Sequence, residues 1–230
     1  MNAALLAWFL AHQPPAPLVC LAKWYDAHPQ QRGATWFAVL RDGTALPYDD
    51  RRSKTFDEQL DHPDVKDMFT LRYARGAIRA VTRENEDPGR IRLEPLFAAT
   101  YADDLVTVDF VGHRVQFHRK AAPALARVAA RLAGRAELAP YLHELGGTVV
   151  KRHIAGTDRT SAHSWGIAID IDVSHSDYWR WQKPPGWRNR IPQAIVDAFE
   201  ADGFIWGGRW FHYDTLHFEY RPELLDDRCR

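Results

Sequence analysis

His163, Asp170 and His217 are the residues of this chain whose types and order could do chemistry. In the run Ser161-Ala162-His163-Ser164-Trp165-Gly166-Ile167-Ala168-Ile169-Asp170-Ile171-Asp172 an imidazole stands ahead of two carboxylates. A second imidazole follows in His212-Tyr213-Asp214-Thr215-Leu216-His217-Phe218-Glu219-Tyr220, with acids on either side. Two neutral histidines and one aspartate suit Zn2+: three protein ligands, and a fourth position open for water. A zinc ion lowers the pKa of a water it holds to about 7, so hydroxide becomes available at neutral pH. The remaining need is a carboxylate to take and pass the proton. Asp214 and Glu219 compete for that task. On an unbroken strand Asp214 points away from His217, so it serves only if a turn precedes the strand. Glu219 shares the face of His217 and fits as the group that orients its ring.

These residues need elements to hold them. Read as a strand, 165–173 puts Trp165, Ile167, Ile169, Ile171 and Val173 on one face, and Gly166, Ala168, Asp170 and Asp172 on the other. The small residues leave room in front of the acids. A strand near 148–154, a helix over 192–202 and a final strand over 216–220 complete this half. Upstream, Val106, Val108 and Phe110 alternate, Gly112 turns, and Val115 and Phe117 alternate again, which predicts a hairpin. Leu125, Val128, Ala129 and Leu132 share a helical face closed by Gly134, and a further helix is expected over 137–145.

Nearer the start, a short helix over 1–11 stops at Pro14-Pro15, and helical spacing from Leu18 through Leu21 and Tyr25 runs to His28-Pro29. Residues 35–40, Asp42-Gly43 and 44–48 read as strand, turn and strand. A helix is expected over 61–73, and Asp87-Pro88-Gly89-Arg90 is a turn by composition. Spacing alone supports no chemical role for the first hundred residues. Strands and helices mixed without a repeating βαβ rhythm predict an α+β fold.

Thirty basic residues balance thirty acidic ones, so no global field draws in nucleic acid or an anionic membrane. The longest apolar run, 3–11, falls far short of the ~20 residues a bilayer needs, and no Lys or Arg precedes it. No membrane span and no standard export signal are therefore expected. Cys20 and Cys229 lie near opposite ends of the chain and read as two free thiols, with a disulfide between them as the less favoured alternative.

Ser161-x-His163-x-x-Gly166-x-Ala168-x-Asp170, then Gly203-Phe204-x-Trp206-Gly207-Gly208-x-Trp210, then Asp214-x-x-His217-Phe218-Glu219 form an ordered set. This set resembles the zinc peptidases of bacterial cell-wall peptides: the D-alanyl-D-alanine carboxypeptidases and L-alanyl-D-glutamate endopeptidases, phage endolysins among them. Arg152 and Gly156 resemble an upstream Arg…Gly element of that family, and the Asp87-Pro88-Gly89-Arg90 turn resembles a part seen in some long members. The resemblance implies a hedgehog/DD-peptidase-like zinc domain with a small antiparallel sheet flanked by helices, over 104–230. Residues 1–103 are then an α+β extension that buttresses it or binds wall polymer.

Carried over residue by residue, the resemblance makes His163, Asp170 and His217 the zinc ligands and Asp214 the catalytic acid/base. It gives Arg152 the oxyanion, a role that suits its fixed cationic fork. Ser161, Glu219, Asp172 and Trp210 are expected beside the ligands or substrate, with Asp172 standing where many relatives have Asn. Asp214, rather than Glu, leans toward endopeptidase or carboxypeptidase action over dipeptidase action. The implied partner is the peptidoglycan stem peptide, met by a single copy of the chain. The implied setting is synthesis in the cytoplasm and action on the wall, in a phage, prophage or bacterial context.

Two other classes compete. The hedgehog signalling domain resembles this fold and holds zinc as a non-catalytic binding module, but such a site needs neither Asp214 nor Arg152. A non-haem iron oxygenase also uses two histidines and a carboxylate, but commonly spaced His-x-Asp rather than with six residues between. Histidines such as His12, His28, His62 and His143 read as core or capping residues. His153, His175 and His212 line the site or are only neighbours in sequence. Trp179, Trp181 and Trp187 touch substrate or close a small core of their own.

Overall fold

A computed structural model describes residues 13–181 and 186–229. The helix expected over 1–11 lies outside them. The architecture is α+β: helices around three small antiparallel sheets, ordered β1-β2-β3, β4-β5 and β6-β8-β7. No described helix is long and apolar enough to cross a membrane.

Helix α1 (Ala16–Trp24) follows the prolines and buries Leu18, Cys20 and Leu21. It ends before the expected His28-Pro29, which instead lies inside strand β1 (Ala27–Arg32). Pro29 sits opposite Ala38 on this edge strand, where a missing N–H is tolerated. Strands β2 (Thr35–Leu40) and β3 (Ala45–Pro47) form as the Asp-Gly turn predicts. The helix expected over 61–73 is displaced. Thr55 and Glu58 form a reciprocal cap that starts α2 (Phe56–Asp61) earlier. Beyond it, the Asp64 and Asp67 carboxylates take each other's backbone N–H at 3.0 and 2.9 Å, and buried Lys54 binds both, leaving only a 3-10 turn at Asp67–Phe69.

After α3 (Glu94–Thr100), β4 (Leu105–Phe110) and β5 (His113–His118) pair as expected, and α4 (Ala122–Leu132) lays Leu125, Val128, Ala129 and Leu132 on the core. The helix expected over 137–145 is a 3-10 helix, Ala136–Tyr141, with Pro140 inside it. The strand expected over 148–154 does not form; isolated bridges join Gly147 to Asp170 and His153 to Thr160. The strand expected over 165–173 shrinks to β6 (Ala168–Asp170), because a 3-10 helix, Ala162–Trp165, ends at Gly166 with φ +66°. A Cβ there would lie 2.6 Å from Leu105, so the glycine also lets the β4-β5 hairpin close on the loop.

Helix α5 (Gln193–Ala201) then leads into β7 (Phe204–Trp206) and the central strand β8 (His217–Tyr220), with Phe199 stacked on Phe218 at 3.9 Å. Both halves of the chain feed one continuous apolar core, from Leu18, Leu96 and Phe97 to Ile169, Phe199 and Phe218.

Cys20 and Cys229 are not free thiols: they form a disulfide, with Cα atoms 5.1 Å apart. Their positions in sequence gave no hint because α1 packs against α6 (Pro222–Leu225) and the 3-10 turn Asp227–Cys229 that follows it. Reduction, or Cys20→Ser, is expected to lower the unfolding free energy by about 2–4 kcal/mol. Urea unfolding with and without reductant measures this, and coincident curves rule it out.

Candidate metal centre

The antiparallel pairing of β6 with β8 sets Asp170 directly opposite His217, and His163 reaches the same point from the 3-10 helix before Gly166. His163 Nε2, Asp170 Oδ1 and His217 Nδ1 form a triangle with edges of 3.1, 2.9 and 3.2 Å. Tetrahedral zinc with bonds of ~2.0–2.1 Å holds its ligand atoms about 3.3–3.4 Å apart, so the three atoms need separate only slightly to accept it.

The rings are already set for this. His163 Nδ1 lies 2.6 Å from the Thr148 carbonyl, to which it can only donate, leaving a lone pair on Nε2. His217 Nε2 faces Glu219 Oε2 at 3.3 Å, leaving Nδ1 directed inward. Glu219 is gripped by Arg92, through Nε at 3.0 Å and through Nη2, and by Arg221 Nη1 at 2.9 Å. Burial alone would raise the Glu219 carboxyl. Arg92, the His217 hydrogen bond and Arg221 instead hold it well below the usual range.

Burial likewise opposes charge on His217, yet bonds to Asp170 and Glu219 push its imidazole up to about 10. Asp170 is held below the usual carboxylate range by the two imidazoles, against its own burial. The surroundings thus stabilise positive charge at the triangle, whether a proton or a metal ion carries it. The donor set, tautomers and spacing fit zinc.

The turn that Asp214 requires is present. The Asp214 carbonyl accepts from His217 N–H at 3.2 Å, so the chain reverses just before β8. The Asp214 carboxyl then shares a pocket of about 310 Å³ with the triangle. Its Oδ1 is buried without a hydrogen-bond partner. Burial raises the group to about 7, with Asp170 adding to the effect and His217, Arg152 and Arg90 opposing it. A carboxyl near 7 is matched to proton transfer at neutral pH.

The two glycines before it make this approach possible. A Cβ on Gly207 would lie 2.4 Å from the Asp214 carbonyl oxygen, and one on Gly208 would lie 2.1 Å from the Trp206 indole. The Gly-Gly pair therefore packs the turn that carries Asp214.

Among the other expected site residues, Arg152 lines the pocket half-exposed, with Nη2 4.0 Å from Asp170 Oδ2. Ser161, His153, Trp179, Trp181, His212 and Trp210 also line it, Trp210 with its ring centroid 5.7 Å from that of His217. Asp172 is not brought to the pocket. Its carboxylate accepts from Ser174 N–H at 2.7 Å and caps the 3-10 turn Val173–His175. Trp187 closes a separate contact, donating to the Gly208 carbonyl at 2.9 Å.

Sequence reasoning missed Arg90, Arg92 and Tyr178. The signal that could have found the arginines was Asp87-Pro88-Gly89-Arg90, singled out by resemblance but given no chemistry. Arg90 and Arg92 alternate with buried Ile91, so an extended chain presents both to one side.

An α+β frame that holds two histidines and an aspartate in a triangle beside a raised carboxyl is the kind of site found in metal-dependent hydrolases. Comparison with known families agrees: residues 155–220 match the model of a peptidase family described as D-alanyl-D-alanine carboxypeptidase, which bears out the resemblance read from the motifs. The match spans His163, Asp170, Asp214, His217 and Glu219; Arg90, Arg92 and Arg152 lie outside it. No curated protein and no solved structure gives a match.

Proposed function

We propose that the protein is a zinc-dependent peptidase that hydrolyses an amide bond in the peptidoglycan stem peptide, of the D-Ala-D-Ala carboxypeptidase or L-Ala-D-Glu endopeptidase type. The observation that carries the reading is the unpartnered, buried Asp214 oxygen sharing a pocket with the His163, Asp170 and His217 triangle. A structural metal site has no use for such a group, which speaks against the non-catalytic binding module.

His163, Asp170 and His217 hold the ion. Bound zinc supplies Lewis acidity toward the scissile carbonyl and acidifies water. Asp214 accepts the proton of the attacking water and returns it to the leaving amine, which balances the hydrolysis without a covalent intermediate. The Arg152 guanidinium offers donors to the oxygen on which negative charge develops. The described part of the N-terminal region, residues 13–103, acts as a buttress: its Leu18, Leu96 and Phe97 share the core with Ile169 and Phe218, and it delivers Arg92 to Glu219.

The proposed substrate puts its site of action at the cell wall, in a phage or prophage setting or in bacterial wall remodelling. A disulfide linking the two ends suits an oxidising compartment.

Elemental analysis is expected to find one zinc per chain in the wild type and none in His163→Ala. Mass spectrometry of digested peptidoglycan is expected to show new peptide termini, whose masses identify the bond. Zinc without new termini would overturn the peptidase reading and favour the binding module.

A further inference from the structure

The pocket holds more cationic charge than its acids use. Of the arginines that line it, Arg92 is committed to Glu219 through two nitrogens, and Arg152 leans toward Asp170. Arg90 differs. Its contact to an acid is a single nitrogen, Nη1, 3.3 Å from Asp87 Oδ2. That carboxylate is already engaged more closely by His212, whose backbone N–H donates to Oδ1 at 2.9 Å and whose Nδ1 lies 2.6 Å from Oδ2. Burial pushes the Arg90 guanidinium below its usual value, Asp87 opposes this, and neighbouring Arg92 and Arg159 add to it. One edge of a planar fork is therefore fixed at the pocket wall while the rest remains for a ligand.

Both bonds named in the proposed function share a chemical feature. In each, the leaving amine sits on a carbon that carries a free α-carboxylate: that of the terminal D-Ala, or that of D-Glu linked onward through its side chain. Resting on the peptidase reading, we infer that Arg90 binds the α-carboxylate of the leaving residue and so selects substrates that carry one. The N-terminal region then contributes a substrate-binding residue, and an amidated wall peptide is a poor substrate.

The test uses zinc-loaded full-length protein and a synthetic stem pentapeptide in three forms: the free acid, the C-terminal carboxamide, and the form with the D-Glu α-carboxyl amidated. Product masses show which bond the wild type cuts. Amidating the carboxylate next to that bond is expected to lower kcat/KM about 10- to 100-fold, mainly through KM, while amidating the other changes it little. Arg90→Gln is expected to lose the same factor on the free acid and almost none on the adjacent amide, a coupling that a merely structural defect does not produce. Arg90→Lys keeps the charge beside Asp87 and is expected to recover part of the loss, and its melting curve checks folding.

Equal kcat/KM for acid and amide in the wild type, or an equal loss on both in Arg90→Gln, overturns the inference. A wild type that cleaves none of the peptides sinks the peptidase reading instead. Calorimetric binding of the same three peptides then decides Arg90: tighter binding of a free acid than of its amide, lost in Arg90→Gln, supports it, and equal Kd values overturn it.

Discussion

Asp214→Asn protein is expected to fold, to bind zinc, and to hydrolyse wall peptides about 10²- to 10⁴-fold more slowly than the wild type. The amide keeps the shape of the carboxyl but cannot accept the water's proton. The loss should fall on kcat, since Asp214 acts on the reacting water. The acid limb of the wild-type pH profile should carry the same signature. Asp214 must be ionised to act as a base, and burial raises it to about 7. A cation in the neighbouring triangle attracts the ionised form and moves the limb lower, between the ordinary carboxylate value and about 7.

The same shift has the opposite sign for stability. A carboxyl whose folded pKa is raised binds protons more tightly in the native state, so the Asp214 contribution to metal-free stability falls as pH rises from about 4 through 7. Asp214→Asn mimics the protonated group, and its metal-free form is expected to melt above the wild type at pH 8, with the gap closing as pH falls below 4. Undiminished turnover, or an unchanged melting gap across that range, would remove Asp214 from its assigned role.

Glu219→Ala is the second large effect, and it reaches both stability and metal. Glu219 is fully buried with Arg92 and Arg221 on its oxygens, and Arg221 retains Glu223 at 2.6 Å. Among the described residues no other carboxylate lies within salt-bridge distance of Arg92, so removing Glu219 leaves a buried guanidinium unpaired, which costs about 3–5 kcal/mol. His217 also loses the acceptor that fixes its ring, so zinc affinity is expected to fall about 10- to 100-fold. Urea unfolding and chelator competition measure the two losses. Glu219→Gln, which keeps the packing, should retain more of the fold than of the metal affinity. A Glu219→Ala protein as stable as the wild type would contradict the account.

The ligand triangle was legible because residue type and order carried it: His163, Asp170 and His217 meet whether or not the segment between them is a long strand. The strand itself was misjudged. Alternation from Trp165 to Val173 suits a strand, but Gly166 adopts a left-handed conformation and gives the first part to a 3-10 helix. The turn before β8, stated as a condition from sequence, is there, while Asp172 turned out to cap a local turn. Local patterns found the β4-β5 hairpin, α4 and α5, whose periodicity and turn residues lie within a few positions of one another. They could not find the bond between Arg92 and Glu219, which are 127 residues apart, or the disulfide across 209. Such pairs depend on packing of the whole core, which no short window of sequence encodes.

The order of the strands in the β6-β8-β7 sheet also sets a schedule. The last strand to be synthesised occupies the middle, so neither neighbour has its partner until residues 217–220 exist. Of the pocket residues, Arg90 and Arg92 leave the ribosome first, His163 and Asp170 later, and His217, with Glu219 behind it, last. A chain stalled before β8 holds two of three ligands and leaves Arg92 without Glu219. The site therefore closes only once residues 217–220 have emerged, and the long-range closure this requires makes that step slow relative to the local helices.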